Sequence, residues 1–235
     1  MNLQLCSPYK KCPFNCPMCI AATDDGEVNN VFNLFAEDRF EYYLKLGQAL
    51  RGKKTVVITG DTEPTLFPYW ISSVLNYMRN LEYQGKIELQ TKNYHITSLV
   101  KEWSNHGLDL VAYSATCPDD LDKVFKMMNT ETISCKTRLV ILLTEENIDY
   151  LYTTSIKNLV KFSQITFKVL QNPNCEEKTK VVNNIKNFDD NKLKKIIKTL
   201  EEYTCCSIRV DENCMDSEGR YEIMRIDGNI YKTWF

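Results

Sequence analysis

The chain has 235 residues, of which 43% are hydrophobic, so it is long enough to bury a substantial core. Its 29 Lys and Arg nearly balance 31 Asp and Glu, and a net charge of -2 provides no overall basic field that would gather nucleic acid. The first residues lack the pattern of a cleaved secretion signal, and no stretch approaches the ~20 apolar residues of a membrane span. These features predict a soluble, cytoplasmic protein and disfavour nucleic-acid and membrane partners.

Short aliphatic or β-branched runs alternate with segments of helical periodicity along the chain. Strands are predicted at residues 3–5, 55–59, 86–91, 108–114, 137–143 and 165–170. Each is followed by an amphipathic helix. The apolar positions of these helices are Phe40, Tyr43, Leu44, Gly47 and Leu50; Trp70, Ile71, Val74, Leu75 and Met78; Ile96, Leu99, Val100 and Trp103; Leu121, Val124, Phe125 and Met128; Ile148, Leu151, Tyr152 and Leu159; and Leu193, Ile196, Ile197, Leu200 and Tyr203.

This alternation requires parallel strands joined by crossover helices. At about 30 residues per unit, six units fill about 180 to 200 residues, which is too short for an eight-unit barrel. The sequence therefore predicts an α/β fold, a partial (β/α)6 TIM-like barrel over residues 1–204 with its active site at the carboxyl ends of the strands. Residues 205–235 read as a short C-terminal β hairpin appendage of the same domain, with a turn at Asp227 and Gly228.

Three cysteines, Cys12, Cys16 and Cys19, crowd the loop after the first strand with the spacing C-x3-C-x2-C. In a reducing compartment such close thiols are better read as metal ligands than as disulfides. Three thiolates can ligate three irons of a cubane cluster and leave the fourth iron open, whereas a closed zinc site needs a fourth Cys or His. His95 and His106 lie far along the chain, so the open cluster is favoured, with a zinc knuckle or unligated thiols as the alternative.

A second motif, "GDTEPTL" at residues 60–66, follows the second strand. With both motifs in place, the chain resembles the radical S-adenosylmethionine (radical SAM) enzymes. The resemblance implies one 4Fe-4S cluster held by Cys12, Cys16 and Cys19, with S-adenosylmethionine (SAM) chelated by the open iron. It also implies reductive cleavage of SAM to methionine and a 5'-deoxyadenosyl radical, which takes a hydrogen atom from a substrate. Met18 stands where the family usually places an aromatic residue beside the adenine.

The resemblance assigns further contacts with SAM. Its glycine-rich motif, which receives the amino group of SAM, corresponds here to Gly60, Asp61, Thr62 and Glu63, with Thr62 in place of a second glycine. A threonine that ends the third strand corresponds to Thr91, where "TKN" departs from the family's Thr-Asn-Gly at Lys92 and Asn93. The other positions assigned to SAM are Asn93, Ser114 at the end of the fourth strand, and Arg138 in the fifth, which is equally well read as a strand-edge surface charge.

Hydrogen donors to a substrate radical are suggested by position alone at Tyr113 and Cys117. The resemblance implies a reductant such as flavodoxin or ferredoxin and a peptide or small-molecule substrate. Activation of a glycyl-radical protein, RNA modification and a noncatalytic zinc-binding module remain alternatives. The tail resembles a truncated form of the cysteine-rich (SPASM-like) extension of peptide-modifying members, because Thr233 stands where its hairpin carries a cysteine. Without a C-x2-C pair, Cys175, Cys205, Cys206 and Cys214 predict no second cluster.

Overall fold

A computed structural model describes residues 2–8, 10–14, 16, 36–60, 62–154, 156–173, 182–185, 188–203, 206–211 and 221–232. Strands and helices alternate along them in the predicted order. The elements are β1 (Asn2–Cys6), α1 (Ala36–Ala49), β2 (Thr55–Thr59), α2 (Pro68–Asn80), β3 (Lys86–Thr91), α3 (Thr97–Asn105), β4 (Leu110–Ala115), α4 (Pro118–Thr130), β5 (Lys136–Leu143), α5 (Glu145–Thr153), β6 (Gln164–Pro173), β7 (Val182–Ile185), α6 (Asp190–Tyr203), β8 (Ser207–Asp211), β9 (Tyr221–Met224) and β10 (Ile230–Tyr231).

The sheet is built from β1 to β6, which lie side by side in chain order and are all parallel. Two strands from the C-terminal part extend this core at its edges: β8 pairs parallel with β6, and β9 pairs parallel with β1. In the part of the chain that the structure describes, no ladder joins β8 to β9. The fold is therefore an α/β partial barrel, as the alternation of strands and helices predicts.

The two faces of the sheet differ in burial. In β5, Leu139, Ile141 and Leu143 are fully buried beneath the helices, whereas the alternate residues Arg138 and Val140 are only half-buried. The same alternation of buried and half-buried residues continues through residues 164–169 of β6. Because successive side chains of a strand point to opposite faces, the face away from the helices stays partly open. We call it the concave face.

Local signals explain where several helices begin. Pro68 and Pro118 occupy the first turns of α2 and α4, where proline's missing N–H leaves no hydrogen bond unmade. The side chain of Thr144 caps α5 by accepting a hydrogen bond from the backbone N of Asn147 at 3.2 Å. None of the described helices is long and apolar enough to cross a membrane.

The C-terminal hairpin is formed by β9 and β10, which are antiparallel. Its turn lies at the predicted position, with Gly228 at a φ of 79°, a backbone conformation that glycine adopts without strain. The backbone N of Gly228 donates to the carbonyl O of Arg225 at 2.9 Å. The predicted hairpin is therefore confirmed, although β9 is also a strand of the main sheet.

Several details differ from the sequence-based expectations, among them the predicted apolar positions Tyr152 and Tyr203, which are 46% and 74% exposed. An additional strand, β7, runs antiparallel to β6. Leu159 lies in a separate 3-10 helix, Ile156–Lys161, beyond the end of α5. In α1 the buried face contains Tyr42, Leu46 and Leu50, while Phe40 and Leu44 are 74% and 51% exposed. The predicted face of α1 was therefore wrong at Phe40 and Leu44, because spacing alone does not decide which of two overlapping apolar stripes packs on the sheet.

Candidate active site at the carboxyl end of the sheet

The cysteine loop leaves the carboxyl end of β1, where parallel strands of α/β enzymes carry their chemistry. Cys12 and Cys16 are both half-buried and free of disulfides. Cys19 and Met18 lie outside the described residues. Within those residues no three His, Cys, Asp or Glu side chains are grouped closely enough to hold a metal ion. The structure thus places two of the three predicted ligands in one loop at the expected edge.

The second motif packs directly against the cysteine loop. The backbone N of Ser7 donates to the carbonyl O of Thr59 at 2.8 Å. A Cβ on Gly60 would lie 2.5 Å from the Oγ of Ser7 and 3.1 Å from its backbone N, so only glycine fits there without a shift. The hydroxyl of Thr62 donates to the carbonyl O of Lys10 at 2.5 Å. Gly60 and Thr62 therefore position the cysteine loop, while Asp61 lies outside the described residues.

The carboxylate of Glu63 is 4% exposed and accepts four hydrogen bonds from its own chain. Oε1 accepts from the backbone N and the hydroxyl of Thr65 at 3.1 and 2.8 Å, and from the hydroxyl of Thr91 at 2.6 Å. Oε2 accepts from the backbone N of Lys92 at 2.9 Å. An ionised carboxylate offers about four acceptor sites. Glu63 thus ties the end of β2 to the end of β3, and a ligand that contacts it shares these oxygens.

Thr91 and Asn93 belong to the same network. The backbone N of Asn93 donates to the hydroxyl oxygen of Thr91 at 2.9 Å, and its side-chain amide donates to the hydroxyl oxygen of Thr65 at 3.1 Å. The Oδ1 of Asn93 accepts from the backbone N of His95 at 3.1 Å. The structure therefore brings Glu63, Thr91 and Asn93 together and adds Thr65, which bonds to both Glu63 and Asn93.

Lys92 forms an ion pair that sequence analysis missed. Its Nζ lies 2.7 Å from Oδ2 of Asp120, 2.7 Å from the hydroxyl oxygen of Thr116, and 3.4 Å from Sγ of Cys16. The backbone N and the hydroxyl of Thr116 donate to the same Oδ2 at 2.9 and 2.8 Å. The sequence features that could have indicated the pair are a lysine directly after β3 and an aspartate in the first turn of α4. Either residue alone reads as a surface charge.

Both partners of this pair have shifted pKa values. Partial burial lowers the pKa of Lys92, but the hydrogen bond to Asp120 and the sulfur of Cys16 outweigh it and raise the pKa above its ordinary value. Burial raises the pKa of Asp120, but hydrogen bonds from Lys92 and Thr116 outweigh this and lower it overall. Both side chains are therefore charged at neutral pH, and a positive charge lies beside Cys16.

The residues predicted on β4 and after it occupy different environments. Ser114 is half-buried, and its backbone carbonyl accepts a 2.6 Å hydrogen bond from the hydroxyl of Tyr94. Tyr113 is fully buried in the core on the helix side, and its hydroxyl has no hydrogen-bond partner in the described part of the chain. Burial and the nearby Cys135 raise the pKa of Tyr113. Cys117 is exposed at the start of α4.

Arg138 lies on the concave face and is bound within the protein. Its Nη1 donates to Oε1 of Glu88 at 2.7 Å, and its Nε donates to Oε1 of Gln164 at 2.8 Å. The ion pair joins β3 to β5 across the concave face, and the hydrogen bond to Gln164 extends the connection to β6. The side chain is therefore paired and only one quarter exposed, rather than projecting into solvent as an unpaired surface charge.

Comparison with protein families matches residues 6–159 to the radical SAM superfamily, which is more than half of the chain. The chain belongs to that superfamily. Membership implies SAM, a 4Fe-4S cluster and a reductant, and it confirms the family predicted from the two motifs.

No curated protein matches the chain. One similar solved structure is the N-terminal domain of a presumed aldolase from Bacteroides vulgatus, with 12% identity and a TM-score of 0.44. The match covers 89% of this chain and 63% of that one, so this chain spans less than two thirds of its length.

The described residues fit the cluster that the superfamily implies. Two cysteine side chains lie in a loop that Thr62 fastens to the sheet, and the ammonium of Lys92 is 3.4 Å from the sulfur of Cys16. Iron–sulfur clusters are bound by thiolates, and an adjacent cation favours the thiolate form.

Proposed function

We propose that the enzyme holds one 4Fe-4S cluster through Cys12, Cys16 and Cys19 and uses it to cleave SAM, with a peptide or a small molecule as substrate. When bound and reduced by flavodoxin, ferredoxin or a similar donor, the cluster supplies the electron that splits SAM into methionine and a 5'-deoxyadenosyl radical, which abstracts a substrate hydrogen atom. The proposal accounts for both motifs of the chain with one reaction.

The observation that carries the proposal is the contact of Lys92 with both motifs. Its side chain lies 3.4 Å from the sulfur of Cys16, and its backbone N donates to Glu63 at 2.9 Å. If the metal-binding loop had a separate structural role, its cysteine would not be expected to contact a residue that also bonds to the buried carboxylate network. This geometry supports a single site in which the metal loop and the network act together.

Polar groups at the carboxyl edge support SAM binding beside the thiols. In the proposal Glu63, Thr91 and Asn93 shape the part of the site that receives the amino group of SAM, together with Gly60, Asp61 and Thr62. The proposal assigns Met18 to the adenine, and Ser114 to the ribose or the carboxylate of SAM. The proposal also assigns Arg138 on the concave face to SAM, in addition to its pair with Glu88.

The concave face supports a polar substrate. It presents the ion pair of Arg138 and Glu88 together with the amide of Gln164. These groups bond to one another, and a ligand that displaces one of these contacts must replace its hydrogen bonds, which an apolar ligand does not do. A peptide backbone or a polar metabolite meets this condition. Cys117, which is exposed at the start of α4, is better placed than the buried Tyr113 to donate to such a substrate.

Anaerobic purification and reconstitution test the cluster first. The wild-type protein should be brown and hold about four irons and four sulfides per chain. With SAM and dithionite it should release 5'-deoxyadenosine, measured by liquid chromatography and mass spectrometry. Cys12→Ala, Cys16→Ala and Cys19→Ala should each lose the cluster and the product.

The matched control is Cys135→Ala, because Cys135 is a half-buried cysteine that precedes β5 at the opposite edge of the sheet. This variant should keep the iron content and the product of the wild type. A colourless wild-type protein with stoichiometric zinc would contradict the proposal and favour a zinc-binding module.

Glu63 tests the SAM part of the site separately. Glu63→Ala removes the acceptor of four hydrogen bonds and should weaken SAM binding to the reconstituted protein by about tenfold or more, with the iron content unchanged. Glu102→Ala, an exposed glutamate of α3, is the control. Calorimetric titration measures the affinity of each variant for SAM. Equal affinities for the two variants would show that Glu63 is not part of the SAM site.

A further inference from the structure

The ammonium of Lys92 makes three contacts, which equals the number of its N–H donors. Two of them, to Asp120 and to the hydroxyl oxygen of Thr116, are 2.7 Å long. The third reaches Sγ of Cys16 at 3.4 Å, within the range of an N–H···S hydrogen bond. Each donor therefore has one acceptor, and one of these acceptors is a cysteine of the cluster motif.

Contacts of both its side chain and its backbone hold Lys92 in place. The side chains of Lys92 and Asp120 are 14% and 5% exposed. Asp120 lies in the first turn of α4, where the helix dipole favours a negative charge. The backbone N of Lys92 is bound to Glu63. A lysine fixed in this way directs its charge at one sulfur, unlike a solvent-exposed lysine that samples many rotamers.

We propose that Lys92 is a positioning residue that raises the reduction potential of the cluster by donating a hydrogen bond to the thiolate of Cys16. The proposal rests on the proposed function, because it needs Cys16 to be a cluster ligand. Reduction adds one negative charge to the cluster and its thiolates. A fixed cation and an N–H donor at a ligating sulfur stabilise the reduced form more than the oxidised form.

The acidic groups that face Lys92 set the size and sign of this effect. Asp120 lies 2.7 Å from the ammonium and partly neutralises its charge. Glu63 contacts only the backbone N of Lys92. Removing the cation should therefore lower the potential. Removing the charge of Asp120 while keeping an acceptor for Lys92 should raise it.

The experiment measures the midpoint potential of the reconstituted, SAM-free protein by a redox titration followed by electron paramagnetic resonance. In Lys92→Met the ratio of reduced to oxidised cluster at a fixed potential should fall about tenfold, a downward shift of about 59 mV for a one-electron couple. In Asp120→Asn the ratio should rise. Lys101→Met, the same change at an exposed lysine of α3, should leave the midpoint unchanged.

The two site variants separate an electrostatic role from a structural one. If Lys92 only supports the loop, both variants loosen the same pair and shift the midpoint in the same direction, and the proposal is overturned. An unchanged midpoint in Lys92→Met at full iron content also overturns it and leaves the proposed function intact. If Lys92→Met does not retain iron, the midpoint potential of Asp120→Asn decides between the two roles: a higher midpoint than in the wild type supports the electrostatic role, and an unchanged or lower one overturns it. A wild-type protein without iron would refute the proposed function itself.

Discussion

Tyr113 and Tyr94 are neighbouring buried tyrosines whose hydroxyls have opposite environments. The rings lie 6.2 Å apart between centroids. The hydroxyl of Tyr94 donates to the carbonyl of Ser114 at 2.6 Å, whereas that of Tyr113 has no partner among the described residues. A buried donor without an acceptor is unfavourable, and a satisfied one contributes to stability. The pair therefore offers a matched comparison of one chemical change.

Tyr113→Phe should leave the free energy of unfolding unchanged or raise it by up to ~1 kcal/mol, because it removes an unpaired hydroxyl. Tyr94→Phe should lower it by about 1 kcal/mol, because it leaves the carbonyl of Ser114 without its donor. Urea unfolding followed by circular dichroism measures both. A larger loss in Tyr113→Phe than in Tyr94→Phe would contradict the assigned environments.

The same variant addresses the proposed hydrogen donors. Because Tyr113 is fully buried on the helix side of β4, Tyr113→Phe should retain the release of 5'-deoxyadenosine and substrate turnover. Loss of turnover in a stably folded Tyr113→Phe protein would instead support the position-based suggestion that this tyrosine donates to the substrate.

At the scale of elements, the sequence predicts what depends on local periodicity. The six parallel strands, the order of helices and the hairpin turn at Gly228 follow from spacing and turn residues. Strand β7 and the pairing of β8 and β9 with the two edges of the sheet were missed. These pairings join segments that are distant in the chain, and no local pattern encodes which edge a short strand joins.

In the site, too, the sequence predicts residues that a local motif marks, but not contacts between residues that are distant in the chain. Gly60, Glu63 and Thr91 could be chosen from the sequence because short motifs directly after strands mark them. The contact of Lys92 with Cys16 spans 76 positions and depends on a long side chain crossing between two strand ends. Arg138 was recognised, but its partner Glu88 was not, since the register of β3 to β5 decides that contact.

The C-terminal strand β9 offers a test at the scale of elements. We propose that residues 205–235 form one cooperative domain with the barrel, because Met224 is fully buried in the core and pairs with Leu5 of β1. Met224→Ala should lower the free energy of unfolding by ~2 to 5 kcal/mol, the range for emptying a packed site.

Ile230→Ala in β10 is the control for Met224→Ala, because Ile230 is 44% exposed; it should change the free energy of unfolding by less than ~1 kcal/mol. Both variants should unfold in one transition in urea. A Met224→Ala protein with a second, separate transition would indicate that the tail unfolds independently of the barrel.

At the scale of the whole molecule, positive and negative charges nearly balance. The dependence of the free energy of unfolding on pH in the acid range therefore comes mainly from individual buried groups. Asp120 is the clearest of these, because three hydrogen bonds from Lys92 and Thr116 converge on one of its oxygens. These contacts hold the pKa of its carboxyl below the ordinary value of 3.8. The raised pKa of Lys92 contributes stability that is fully present below its ordinary value of 10.5 and is lost only at higher pH, so it adds no pH dependence in the acid range.

A carboxyl group whose pKa is lowered by folding adds stability above its unfolded pKa and loses it as the pH falls through the folded value. Asp120→Asn should therefore be less stable than the wild type by about 1 to 3 kcal/mol between pH 5 and 8. This difference should be constant over that window and should shrink as the pH falls below about 4. Asp119→Asn, an exposed position in the same turn, should show a smaller difference. Urea unfolding of the cluster-free proteins from pH 3 to pH 8 measures the effect. A wild-type advantage over Asp120→Asn that persists undiminished at pH 3 would show that the ionised carboxylate is not its source.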